Sequence, residues 1–109
     1  MNNAYNVVMV PTGVPTLINS LEVPARGGYS LKGLIVWSAA NYDIQVVLNV
    51  ETIAGGKITG TCPTLFLDFS SSPFGIGSFD IVSVIATQDP DLTPPGSYPV
   101  YSTLLIEQL

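Results

Sequence analysis

The chain has 109 residues, of which 47% are hydrophobic and only 10% are charged, and its formal net charge is −5. A chain of this length is expected to fold as one domain, residues 1–109, and its charged fraction is far below the roughly 25% of an ordinary soluble domain. Its three basic residues predict that it binds neither nucleic acid nor an anionic membrane, because binding to phosphate needs clustered Lys and Arg.

So few charges leave much of the surface neutral or apolar, which favours a protein that works inside an assembly over a free monomer. The N-terminus has no basic segment followed by an apolar one. The sequence therefore predicts no signal peptide and synthesis in a cytoplasm. Its apolar runs are too short to span a bilayer.

Short segments of alternating residues, separated by turn residues, predict strands along the whole chain. No ten-residue window has a helical period, and nine prolines and ten glycines interrupt the sequence too often for long helices. We predict an all-β protein, a single β-sandwich of jelly-roll-like form with seven to eight mostly antiparallel strands. The predicted strands are residues 5–10, 16–23, 31–37, 43–51, 58–61, 64–69, 78–87 and 100–108.

The segment 28–50 is predicted to be the centre of the fold, as two strands joined by a tight turn at residues 39–41. In the second strand, apolar residues alternate with polar ones, as in a strand with one wet face. The first strand is apolar on both sides, so we expect it to be covered on both sides, as a central or interface strand. A second hairpin turn is predicted at Gly55-Gly56.

The residue types for most catalytic sites are missing. There is no histidine and only one cysteine, which excludes Ser-His-Asp and Cys-His nucleophilic sites and a zinc site built from Cys and His. Cys62 is expected to be buried or half-buried and inert. Paired carboxylates from Asp43, Asp68 and Asp80 are the remaining catalytic possibility, but strand acids are usually on a solvated face. We predict no enzyme and no cofactor.

Asp89-Pro90-Asp91 offers two carboxylates to Ca²⁺, a cation that prefers oxygen ligands. The same pattern is common in simple turns, so no metal site is predicted.

Four residues are the predicted interface contacts. Phe74 and Ile76 are placed at the tip of a loop, where apolar side chains need a cover such as a neighbouring subunit. The alternative is that this loop folds back over its own sandwich. Tyr98 and Tyr101 follow a proline-rich loop and are expected to be exposed. Trp37 is assigned to the core or a subunit interface rather than to a sugar site.

The pattern Gly28-Tyr-Ser-Leu31-Lys-Gly33-Leu-Ile35-Val-Trp37, followed by Tyr42-Asp-Ile44-Gln-Val46-Val-Leu48, resembles small all-β virion proteins of tailed bacteriophages. These include capsid decoration (cement) proteins and the β-sandwich bases of fibres. The resemblance covers about a quarter of the chain, and its motif is a strand pattern without a chemical signature.

The resemblance implies a non-enzymatic phage structural protein, a capsid decoration or stabilising protein that acts through interfaces between subunits. Its expected partners are itself, as a trimer or other closed homo-oligomer, and a major capsid or tail protein. The expected location is the virion, after synthesis in the host cytoplasm.

The alternative is a carbohydrate-binding β-sandwich module, or a fibre or tail component that adheres to host glycans. An aromatic ring would stack on the sugar while polar neighbours form hydrogen bonds to its hydroxyls. This hypothesis requires an exposed tryptophan. Its candidate contacts are Trp37, Asn41, Tyr42 and Asp43.

Overall fold

The computed structural model describes residues 2–23, 27–89, 94 and 96–108. Nine strands and no helix run through these residues, which confirms the predicted all-β class with one or two strands more than expected. The strands are β1 (Asn2–Val10), β2 (Thr16–Glu22), β3 (Tyr29–Ser38), β4 (Tyr42–Leu48), β5 (Glu51–Ile58), β6 (Thr64–Asp68), β7 (Phe74–Ile76), β8 (Ile81–Gln88) and β9 (Tyr98–Gln108).

Two antiparallel sheets pack face to face. The first sheet has the strand order β1-β9-β3-β6, and the short β7 pairs with β3 beyond the end of β6. The second sheet has the order β2-β8-β4-β5. The first half of the chain therefore pairs with the second half in reverse order: β1 with β9, β2 with β8, β3 with β6, and β4 with β5. This rolled ribbon of paired strands is the jelly-roll arrangement that the sequence predicted.

Two predicted turns are wrong. The strands β3 and β4 do not form a hairpin: each lies in a different sheet, and residues 39–41 cross from one to the other. Gly55 and Gly56 lie inside β5, opposite Gln45 and Ile44. The turn before β5 is made instead at Asn49, whose φ is 57°, a conformation that asparagine tolerates better than most residues.

The core between the sheets follows the predicted alternation. In β4 the inward residues Tyr42, Ile44 and Val46 are buried, while Asp43 and Gln45 point to solvent. The central strands β3, β8 and β9 contribute most of the other buried side chains, among them Leu34, Val36, Val82, Val84, Ala86, Val100, Leu104 and Ile106. In the part of the chain that is described, every buried side-chain nitrogen or oxygen has a hydrogen-bond partner.

Asparagine side chains link the two sheets along one side of the sandwich. The Asn6 amide donates to the carbonyl oxygen of Ile18 at 2.9 Å, and the Asn19 amide donates to that of Ala4 at 2.9 Å. These two bonds connect β1 to β2, which are the edge strands of their respective sheets. They hold the two edge strands together within one chain.

Tyr42 anchors one end of the core. Its hydroxyl donates to the Val10 carbonyl oxygen at 3.0 Å and accepts from the Gln88 amide at 3.4 Å. Gln88 also donates to the Gly96 carbonyl oxygen, and Thr12 bonds both Gln88 and Gly96. Burial raises the pKa of the Tyr42 phenol. The network fixes the loops of this end to one another.

Asn49 and Asp80 connect two turns at the other end. Asn49 donates from its side chain to Asp80 at 3.1 Å and accepts from the Ile81 amide. Asp80 also accepts from the Gly77 amide at 2.9 Å. The bonds from Asn49 and Gly77 lower the pKa of the Asp80 carboxyl. Phe79, in the same turn, has a φ of 67°, which is a strained conformation for a bulky residue.

The close approach of β3 to β6 gives the first prediction. A Cβ on Gly33 would lie 2.8 Å from the Leu67 carbonyl oxygen, whereas a Cβ on Gly75 would meet nothing within 4 Å. We expect Gly33→Ala to lower the free energy of unfolding by about 1–3 kcal/mol, because backbone must move to make room. Gly75→Ala is the matched control and should change it little. Urea unfolding of both variants checks this, and equal effects would contradict it.

The lowered pKa of Asp80 gives a pH prediction. A carboxyl with a depressed pKa in the folded state stabilises the fold above its ordinary pKa of about 3.9 and loses this contribution as the pH falls. We expect Asp80→Asn to be less stable than the wild type at pH 7 and equal to it near pH 2. Glu51→Gln removes one negative charge from the same end and is the control. A stability difference for Asp80→Asn that stays constant in urea unfolding from pH 7 to 2 would contradict the prediction.

Candidate interaction face

The outward sides of the two sheets differ in chemistry. An antiparallel sandwich normally exposes a polar face on each sheet, with apolar residues only on the inward side. Here the outward side of the first sheet is apolar and rich in aromatic residues. We call this surface the aromatic face; its members are Tyr5, Val7, Met9, Ile35, Trp37, Phe66, Tyr101, Thr103 and Leu105.

Strand register makes the aromatic face continuous. On β9, Tyr101 lies between Val7 of β1 and Trp37 of β3. Directly opposite residues on neighbouring antiparallel strands have Cβ atoms about 4.5–5.5 Å apart, so their side chains touch. The next row repeats the pattern across all four strands, as Tyr5, Thr103, Ile35 and Phe66.

Large side chains on this face remain open to solvent. Tyr5 is 62% exposed, Phe66 57% and Trp37 40%. The rings of Trp37 and Tyr101 are in contact, with centroids 5.4 Å apart and planes tilted by 58°. That distance is typical of stabilising aromatic pairs. The two rings form a ridge in the middle of the face.

A bulge in β3 puts these residues on the outward side. The pairing of β3 with β9 shifts register between Leu31 and Gly33, so that Leu31 and Leu34 both point into the core. After the bulge, Ile35 and Trp37 are outward. Bulges redirect side chains in this way. Trp37 therefore shares a face with Ile35 but not with Leu31, and of the two positions predicted for it, core or subunit interface, the core is wrong.

Charged groups border the aromatic face at one end only, within the residues described. Lys32 and Glu107 form an ion pair at 3.9 Å beyond the row of Leu105. Asp68 is opposite Gly33, and hydrogen bonds from Ser70 lower the pKa of its carboxyl. The centre of the face around Trp37 carries no charged side chain among these residues.

The outward side of the second sheet is polar by comparison. Asp43 and Lys57 form an ion pair there at 3.4 Å, both well exposed. Apolar residues such as Leu17, which is 53% exposed, are interspersed with polar ones. The polar outward residues include Ser20, Glu22, Gln45, Thr52 and Thr87.

Of the four predicted interface residues, the structure places only Tyr101 on the aromatic face. Ile76 is 2% exposed and packs in the core, because its strand β7 pairs with β3 instead of ending in a loop tip. Phe74 is half-buried against Phe69 of the same chain, with ring centroids 5.1 Å apart. Tyr98 is half-buried and donates to the Pro94 carbonyl oxygen. Both residues are covered by their own chain, as part of a strand of the first sheet and not as a loop.

The candidate sugar contacts do not form one site. Trp37 belongs to the aromatic face, whereas Asp43 lies on the outward side of the other sheet. Tyr42 is 1% exposed with its hydroxyl inside the core, so the prediction of Tyr42 as a sugar contact is wrong. Asn41 holds the crossing between the sheets by accepting from the Gly60 amide at 3.0 Å.

A small cavity lies beside Asn41 and Asp43. Its volume is about 40 Å³, and it is also lined by Lys57, Thr59 and Asp89. One water molecule in the liquid occupies about 30 Å³, and pockets for small molecules begin at about 300 Å³. The cavity therefore has room for water but not for a sugar ring.

The predicted thiol and the considered calcium segment are the remaining sites. Cys62 is exposed, in a turn where its amide donates to Thr59, so the expectation of a buried thiol is wrong. In the Asp89-Pro90-Asp91 segment, positions 90 and 91 lie outside the described residues. Within the part that is described, no three His, Cys, Asp or Glu side chains are grouped closely enough to hold a metal ion. Nor does this part contain a helix of the length and apolarity needed to cross a membrane.

Sequence reasoning missed most of the aromatic face. Tyr5, Val7, Met9 and Phe66 lie in predicted strands but are not among the predicted interface residues. The available signal was that β1 and β6, like β3, have large apolar residues at both odd and even positions, and therefore on both faces of the strand. In a sandwich whose core needs one face only, a second apolar face on adjacent strands indicates a contact surface.

The sequence was compared with protein-family models and with curated proteins, and neither comparison gives a match.

The different positions of Ile76 and Phe66 give a prediction. We expect Ile76→Ala to lower the free energy of unfolding by about 2–5 kcal/mol, because it leaves a cavity in the core. Phe66→Ala, at an exposed position, should cost under about 1 kcal/mol in dilute protein. Chemical unfolding of both variants measures this. A larger loss for Phe66→Ala than for Ile76→Ala would contradict the assignment of Ile76 to the core.

Proposed function

We propose that this protein is a non-enzymatic structural component of a larger protein assembly, in which the aromatic face is covered by another protein subunit. The sequence resemblance favours one form of this role, a phage capsid decoration or stabilising protein. The single observation that supports the proposal most strongly is the continuous aromatic face across β1, β9, β3 and β6.

The composition of the face supports a protein partner. Interface cores are enriched in Tyr, Trp, Phe and Met and depleted in charge, and the face has Tyr5, Met9, Trp37 and Phe66 among its exposed members. A soluble monomer seldom leaves an apolar patch of more than a few hundred Å² uncovered. A structural role needs no other chemistry from the chain.

The jelly-roll fold is compatible with this role without deciding it. Viral capsid proteins and lectins both use such double-sheet folds, and fold alone does not determine function. The low charge of the chain is a second, independent support, since a component with a buried face needs fewer charges to stay soluble once assembled.

Carbohydrate binding is a second candidate, because Trp37 and Tyr101 present half-exposed rings on a flat sheet. Such rings can stack on a sugar. The candidate hydrogen-bonding residues Asn41 and Asp43 lie elsewhere, so a sugar would have to be held mainly by stacking. Retention of the wild type on a glycan array, lost in Trp37→Ala, would favour this function.

Co-sedimentation tests the proposed function. Capsids and tails are purified, separately from each other, from the phage that carries the gene. The tagged chain is mixed with each kind of particle, and each mixture is sedimented. We expect saturable binding to one of them at a fixed copy ratio, because docking sites repeat with the lattice. Particles already saturated with untagged chain are the control and should bind no more. A chain that stays in the supernatant with both particles would contradict the proposal.

A further inference from the structure

We propose that the partner on the aromatic face is a second copy of this chain, and that two chains pack face to face about a two-fold axis through the centre of that face. This inference rests on the proposed function and specifies which subunit covers the face. In such an isologous contact, the same patch on each copy covers the other. Three properties of the face favour a second copy as its occupant.

The first property is the charge distribution. The chain has a net charge of −5, so two copies repel each other, and this repulsion is weakest where the contacting surfaces carry no charge. The centre of the aromatic face is such a place among the described residues. Asp68 and the Lys32–Glu107 pair lie at one end of the sheet. A two-fold axis that lies in the interface and runs across the strands puts these ends on opposite sides of the dimer, away from each other.

The second property is area. Aromatic side chains have roughly 150–250 Å² of surface each, and the four rings of the face are between 37% and 62% exposed. They therefore expose roughly 400 Å² together, and Val7, Met9 and Ile35 add to this. The total approaches the ~800 Å² that each partner contributes to a standard interface.

The third property is shape. Packed sheets lie about 10 Å apart with their strands about 30° from parallel, an angle that arises from the twist of each sheet. Two copies of one sheet have the same twist, so they satisfy this geometry without adjustment. The Trp37–Tyr101 ridge of one copy then lies against the face of the other, where aromatic anchors contribute most to binding.

Native mass tests the inference. The purified chain is measured by light scattering after size exclusion, from about 1 to 500 µM. We expect the wild type to reach twice the chain mass of 11.5 kDa within this range. Ile35→Lys and Phe66→Lys should weaken dimerisation by about a hundredfold or more. In a two-fold symmetric dimer each substitution occurs in both copies, so the interface buries two lysine charges without partners. Circular dichroism confirms that each variant folds.

Leu17→Lys is the matched control, since Leu17 is about as exposed as Phe66 but lies on the other sheet. It should dimerise like the wild type. A dimer that is lost in Ile35→Lys and Phe66→Lys but kept in Leu17→Lys supports the inference. A dimer lost only in Leu17→Lys overturns it, as does a trimer.

A wild type that is monomeric at 500 µM also overturns the inference, and co-sedimentation then separates the two proposals. Binding of that monomer to capsids or tails, lost in Ile35→Lys, leaves the proposed function standing with a different protein on the aromatic face. A monomer that binds neither particle contradicts both.

Discussion

The pairing of β3 with β9 is the interaction on which the rest of this structure depends. These two long strands, Tyr29–Ser38 and Tyr98–Gln108, form the centre of the first sheet, and each supports an outer strand on its other side. Their inward residues, such as Leu34 and Leu104, form the core. Their outward residues, Trp37 and Tyr101, form the ridge of the aromatic face. One register therefore determines both the stability of the domain and its contact surface.

The polar groups of the chain close the sandwich around this pair. Asn6 and Asn19 join the edges of the two sheets, and Tyr42 with Gln88 ties the loops at one end. These bonds join the two sheets along one side and tie the loops at one end, whereas the apolar outward side of the first sheet stays exposed in the single chain. A contact on this side is stabilised by the burial of apolar surface, and the chain has few charges that would have to be desolvated on binding.

The sequence was sufficient to predict the class, the jelly-roll-like form and the inward residues of β4, because alternation follows directly from strand geometry. The sequence-based prediction was wrong where the position of a segment depends on which strand it pairs with in the folded protein. Residues 39–41 were predicted to turn within one sheet but cross between sheets, and Ile76 was predicted at a loop tip but pairs with β3. The outward direction of Trp37 follows from the bulge after Leu31, and alternation alone cannot reveal an extra residue.

The fluorescence of Trp37, the single tryptophan of the chain, measured as a function of protein concentration, tests directly whether a second copy covers the aromatic face. Trp37 lies in the middle of the aromatic face and is 40% exposed in the isolated chain. If a second copy covers the face, the emission of Trp37 should move to shorter wavelength as the concentration rises, and iodide should quench it less. Emission and quenching that stay those of an exposed indole up to millimolar concentration would contradict the claim that a second copy covers this face.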